Sequence, residues 1–167
     1  MTKQQLFKLC TELANNFGIV PQDFLFHLFT IDEEFRNSAW KKAIQEGPDE
    51  KFISTRNLFL IGGKNEEKLE LSLFDGSLRI CHIDAGVSKN SGNGTKLLSA
   101  ICEFADREGV KITLTTSCDW VGDDNAIRLL NFYSKFDFSS TRISNDDICE
   151  ELIIDGLDLK RHPKKQA

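Results

Sequence analysis

Three short runs of β-forming residues follow one another between positions 57 and 84: NLFLIGG (57–63), KLELSLF (68–74) and LRICHID (78–84). Gly62-Gly63-Lys64-Asn65 and Asp75-Gly76 stand between them as turns, so the runs read as an antiparallel meander. Directly after it comes SKNSGNGTKLLSAICEFADREG (88–109), in which two glycines and a lysine precede a helical run. Leu97, Leu98, Ile101, Phe104 and Ala105 form the apolar stripe of that helix, and Gly109 supplies its stop. A meander that feeds a glycine loop and a helix is neither a doubly wound parallel sheet nor a barrel.

The flanking segments fit a mixed α/β domain. KITLTT (111–116) reads as a further strand, and a helix over about Asp124 to Lys135 carries Ile127, Leu129, Leu130, Phe132 and Tyr133. FDFSSTRI and CEELIID read as two last strands. Before the meander the chain is mainly helical. Leu6, Leu9, Cys10, Leu13 and Phe17 have helical spacing ahead of Gly18, and no strand is visible at the N-terminus. PQDFLFHLF is ambiguous between a short helix and a buried loop, and Thr30 with Glu33 opens a second helix that Gly47-Pro48 ends. The expected organisation is one domain over residues 1–158, helical over 1–50, with a central mixed, mostly antiparallel sheet and flanking helices over 51–158. Residues 159–167, with Lys160, Arg161, Lys164 and Lys165, read as a disordered basic tail.

Charge and cysteine usage narrow the function. A net charge of −5 argues against a nucleic-acid binder, which needs a basic face. No apolar run has the length of a membrane helix, and the opening MTKQQLFKLCTEL is too polar for a leader. Five scattered cysteines without C-x-x-C spacing, and three histidines distant from them, argue against a zinc site or a disulfide framework. No metal is expected, and the cytoplasm is the expected compartment.

The glycine loop has two readings from its residues alone. It is a strand-to-helix turn built from Gly, Asn and Ser, or a cradle for a phosphate. Gly92 and Gly94 accept positive φ and let an anion approach, the following helix adds free N–H groups, Thr95 can cap it, and Lys89 or Lys96 adds charge. The spacing is not that of a Walker loop, and a meander does not precede a Rossmann fingerprint.

KNSGNGTKLL resembles the R/Q-x-x-G-x-G/A motif of the GNAT superfamily of acyl-CoA-dependent N-acyltransferases. About forty residues on, NAIRLLNFYSKFDF resembles that family's N-x-x-A-x-x-x-Y-x-x-x-G-F segment. The element order over residues 57 to 155, three strands, helix, strand, helix and two strands, is similar to the family's. The resemblance favours the phosphate cradle. It implies acetyl-CoA as co-substrate in a V-shaped opening between strands 78–84 and 111–116. The pyrophosphate would lie on Lys89, Asn90, Ser91, Gly92, Asn93, Gly94 and Thr95, the pantetheine beside His82, Ile83 and Asp84, with Asn125 also among the binding residues. It further implies an enzyme that moves an acetyl group directly to a primary amine.

Such a transfer needs an acid for the leaving thiolate and a base for the acceptor ammonium. Tyr133 aligns with the family's tyrosine and is the chain's one tyrosine; as a plain helix residue it would simply pack beside Phe132. For the base, LRICHID offers no glutamate. Strand alternation puts Leu78, Ile80, His82 and Asp84 on one face and Arg79, Cys81 and Ile83 on the other, so His82 is the candidate base, or else a structural histidine. Lys89 replaces the usual Arg or Gln, and Asp137 the glycine of G-F.

The acceptor would be an amine on a small molecule or a protein, and the acidic balance suits a cationic one. Two other functions compete: a non-catalytic acyl-CoA-binding or protein-interaction module on the same fold, and an acyltransferase acting on charged transfer RNA. The acidic composition speaks against the second. Edge strands in the C-terminal half could pair two copies into a homodimer.

Overall fold

The computed structural model describes residues 1–21, 58–63, 66–87, 92–116, 123–140 and 156–164. The elements are α1 (Lys3–Phe17), β1 (Ile19–Pro21), β2 (Leu58–Gly62), β3 (Glu67–Phe74), β4 (Ser77–Asp84), α2 (Asn93–Glu108), β5 (Ile112–Thr115), α3 (Asp123–Ser134), β6 (Ser139–Ser140) and β7 (Asp158–Arg161). The helix expected from Thr30, the run from Gln22 to Phe29 and the strand expected at CEELIID lie outside the described residues. From β2 to β6 the element order is the one expected.

α1 starts on a capping box. The Thr2 hydroxyl accepts from the Gln5 N–H at 3.1 Å, and the Gln5 side chain accepts from the Thr2 N–H at 2.9 Å. Gly18 closes the helix in the left-handed region and donates back to Ala14. The β3–β4 hairpin turns on Asp75 (φ 48°) and Gly76 (φ 69°), the paired positive angles of a tight two-residue turn.

Among the described residues the strands form one seven-stranded sheet in the order β1-β2-β3-β4-β5-β7-β6. Pairing is antiparallel everywhere except between β4 and β5, which the α2 crossover joins in parallel. Leu69, Leu71, Leu78 and Ile80 of the sheet meet Leu6, Leu9 and Leu13 of α1 and Leu97, Leu98, Ile101 and Phe104 of α2 in one buried core. Each such side chain contributes on the order of 2 kcal/mol by burial.

Two expectations need correction. The N-terminal part is not wholly helical: no strand precedes α1, but after it Ile19–Pro21 pairs with Leu60–Gly62 at the sheet edge. Three residues ending in proline are too few to show alternation. Second, the chain is ordered well past residue 158. Leu159 is fully buried in β7, and Arg161, 3% exposed, makes a bidentate bond to Asp106 (2.8 and 2.7 Å) and another to the Phe136 carbonyl (2.8 Å). Its positive charge looks like a tail's in sequence, but a carboxylate fifty-five residues earlier neutralises it.

Candidate functional site

β4 and β5 separate part-way along. Leu78, Arg79 and Ile80 pair with Ile112, Thr113 and Leu114, and there the ladder ends. β4 continues to Asp84 paired on its other side with β3, and from Cys81 onward no described residue pairs with its edge facing β5. This is the V-shaped opening expected between the two strands.

The separation coincides with a β-bulge. Leu71 is opposite Ile80 and Glu70 is opposite His82, which leaves Cys81 as the extra residue. An inserted residue reverses the alternation beyond it. Leu78, Ile80 and Ile83 therefore share the core face, and Arg79, His82 and Asp84 share the other. The expectation that His82 and Asp84 sit with Leu78 and Ile80 is corrected by that one extra residue. His82 and Asp84 are exposed, and the Asp84 carboxylate accepts from the Gly86 N–H at 3.0 Å.

The N-terminus of α2 lies at the end of this opening. Gly92 is its N-cap, in the left-handed region at φ 78°, and no side chain caps the helix. Thr95, expected as a cap, stands exposed in the first turn. The Gly92 carbonyl accepts from Lys96 N–H, so the N–H groups of Asn93, Gly94 and Thr95 are the helix's outward donors. The first turn itself carries no acidic residue, so no side chain of the helix offsets the positive end of its dipole. Lys89, Asn90 and Ser91 lie outside the described residues.

Between the end of β4, this helix start and α3 lies a cleft of about 600 Å³. Ile83, Gly94, Arg128, Leu129, Phe132 and Tyr133 line it. Tyr133 is buried, edge-to-face with Phe132 at 5.2 Å and with Phe138 at 5.7 Å. Burial pushes its hydroxyl pKa above the ordinary tyrosine value, so the group keeps its proton at neutral pH. Packing and cleft lining are thus both true of this side chain. Asn125 falls within the first turn of α3.

The structure brings Tyr133, Ile83 and Gly94 into one cleft and turns His82 to the opposite side of the sheet. Arg128 and Leu129 were not anticipated from sequence, although their helical spacing around Tyr133 was a usable signal. Burial raises the Cys10 thiol to about 12 and Cys102 to about 11, which makes both inert, while Cys81 is exposed. Among the described residues no cluster of His, Cys, Asp or Glu could hold a metal ion, and no helix is long and apolar enough to cross a membrane.

No protein-family model matches the chain, and no curated protein matches it in sequence. Solved structures do match in shape. A Bacteroides thetaiotaomicron protein assigned to the GNAT acetyltransferases is 18% identical at a TM-score of 0.48, over 68% of this chain. The chain spans 65% of that protein's matched chain, just under two thirds. The PaiA N-acetyltransferase of Thermoplasma acidophilum, solved with coenzyme A, is 13% identical at a TM-score of 0.44, over 96% of this chain and 92% of that one. Naa50 of Arabidopsis thaliana, solved with the bisubstrate analogue CoA-Ac-MVNAL, is 14% identical at 0.44, over 78% and 94%. All three likenesses are distant.

Proposed function

We propose that this chain is a GNAT-type N-acetyltransferase that moves an acetyl group from acetyl-CoA to an amine. The observation that carries the reading is a combination: a parallel strand pair that separates, a bare glycine-led helix start at the opening, and a protonated tyrosine in the same cleft. A solvated helix start alone would not favour it, because any helix has one.

The pyrophosphate of acetyl-CoA would lie on the N–H groups of Asn93, Gly94 and Thr95. Gly94 leaves the approach open, since a Cβ there would come within 3.5 Å of Ala85 and narrow the mouth. The pantetheine arm would pair with the edge of β4 facing β5, from Cys81 to Asp84, as a further strand would. An amine would attack the thioester carbonyl, the C–S bond would break, and the departing thiolate would take the Tyr133 proton. A raised phenol pKa keeps that proton available and makes its transfer to the thiolate less favourable than from an ordinary tyrosine. His82 faces away from Tyr133, so it can accept the ammonium proton only if the amine arrives through the opening from the opposite face of the sheet.

Calorimetric titration with acetyl-CoA, with CoA and adenosine as controls, tests the binding half of this reading. The chemical half is tested by Tyr133→Phe, for which kcat should fall on the order of 100-fold while acetyl-CoA affinity is kept. Full turnover in that variant would remove Tyr133 from the mechanism. Absence of acetyl-CoA binding by the folded protein would remove the mechanism itself.

A further inference from the structure

A second cleft, about 540 Å³, opens on the sheet face opposite Tyr133. Ser72 and Phe74 of β3, Arg79, Ile80 and Cys81 of β4, and Thr115 of β5 line it. Register fixes its place. Ile80 and Leu114 are the last ladder partners, so Cys81 and Thr115 are the first residues beyond the pairing on their strands. The cleft therefore reaches the strand separation from the side an acceptor would use, and His82 is exposed on this same face.

Arg79 is the chemically distinctive group here. Its guanidinium donates to the Thr115 hydroxyl at 3.3 Å, and that hydroxyl in turn donates to Asp158 at 2.7 Å. The Phe74 ring lies 5.7 Å from the guanidinium carbon and is itself 59% exposed. No carboxylate lies within ion-pair distance of Arg79 among the described residues. Arg107 and Arg161, by contrast, each hold one. The guanidinium is half-buried and has lost part of its hydration, and among the described residues the Thr115 hydroxyl is its one hydrogen-bond acceptor. Its planar fork matches a carboxylate.

Resting on the acetyltransferase reading, we propose that the acceptor is an amine that also carries a carboxylate, an amino acid or a close derivative, and that Arg79 binds that carboxylate. Cys81 lies two residues beyond Arg79, roughly 6 to 7 Å along the strand. An anion held at Arg79 thus leaves an amine a few bonds away at the opening, beside the thioester. Phe74, opposite Ser77, backs the guanidinium on the side away from the opening. The cleft's volume is that of a small-molecule site, and a cationic acceptor without an anionic group would meet the positive charge of Arg79, which no described carboxylate pairs directly.

Wild type, Arg79→Gln and Arg79→Lys would be titrated with acetyl-CoA by calorimetry, and CoA release followed with matched amine pairs, each an amino acid and its carboxamide. A third member of each set would carry a phosphate ester in place of the carboxylate. Wild type is expected to prefer the carboxylate member of at least one set by tenfold or more in kcat/KM. Arg79→Gln should abolish that preference through KM and Arg79→Lys should retain part of it, with acetyl-CoA affinity unchanged in both. Equal use of acid and amide, a preference for the phosphate ester, or a carboxylate preference that survives Arg79→Gln would overturn the assignment and leave acetyl transfer standing. Wild type that gives no acetyl-CoA heat would overturn the acetyltransferase reading, and this assignment with it.

Discussion

The two ends of α2 are built to opposite rules. At its C-terminal end Gly109 closes the helix, Arg107 pairs with Glu12, Lys8 pairs with Glu108, and Gln5 donates to the Glu108 carbonyl at 3.2 Å. One turn earlier Asp106 receives Arg161 and the Lys164 N–H. At the other end Gly92 offers no side-chain cap, and the first turn carries no acidic residue. A helix normally gains about 1 kcal/mol from an N-cap side chain. Leaving that out where the strands separate, while fastening the far end, concentrates stability at one end, and under the proposed function it leaves the other end for binding.

The most severe way to break this division is to cut the buried pair at the fastened end. Arg161→Met keeps the apolar stem and removes the guanidinium, leaving Asp106 and the Phe136 carbonyl without it. Stability should fall by about 3 kcal/mol, as expected when one partner of a buried pair is deleted, measured by urea unfolding at pH 7. Acetyl-CoA affinity should not move. The pH dependence follows from Asp106, whose pKa is lowered first by its hydrogen bonds from Arg161. A depressed carboxylate stabilises above its unfolded pKa, near 4, and that contribution disappears as pH falls through the lower folded value. The gap between wild type and Arg161→Met should therefore be full at neutral pH and shrink only in acid below about pH 4. A gap that shrinks between pH 8 and 6 would show that a different group carries the pair.

How far the sequence could be read depends on how local the cause is. The meander, α2 and the stops at Gly18 and Gly109 were legible because alternation, helical spacing and turn glycines act within a few residues. The face of His82 was not, because the bulge at Cys81 arises from pairing with Glu70 and Leu71 and leaves no mark in LRICHID. β7 was hidden by its charges, which make sense only beside Asp106. Gly94, Ile83 and Tyr133 line one cleft on the elements that the motif spacing assigned to them. Thr95 failed as a cap because Gly92 already occupies the N-cap position. Cys81 and Arg79 were placed on a strand face but given no role, since only the end of the β4–β5 ladder sets them beside the separation.

Adding negative charge to the bare end is the complementary change. Gly94 is helical with no positive φ, and a Cβ there makes only ordinary contact with Ala85, so Gly94→Glu should fold. A carboxylate in the first turn should even favour the helix slightly. Against a pyrophosphate it is repulsive, and it also fills the mouth of the cleft. Acetyl-CoA binding should weaken at least tenfold, about 1.4 kcal/mol, with thermal stability unchanged or slightly raised. Adenosine, which has no phosphate, should bind the variant and wild type alike. Unaltered acetyl-CoA affinity would place the pyrophosphate elsewhere and dissolve the contrast between the two ends.

The smallest effect should come from the exposed part of the fastening. The Arg107 guanidinium bonds to the Glu12 carboxylate, yet both side chains are a third or more exposed, 45% and 35%. The Glu12 bond heads the causes that raise the Arg107 pKa, but water and salt screen such a pair heavily. Arg107 also keeps its place over the Phe104 ring, 5.3 Å from the centroid, without Glu12. Glu12→Ala should therefore cost no more than about 0.5 kcal/mol, and the loss should fade in 1 M salt, where the Debye length is about 3 Å. A loss that persists at high salt would mean that the Glu12–Arg107 bond holds α1 to α2 by more than a screened surface pair can. The tight end of the helix would then be a network rather than one buried bond with weak outriders.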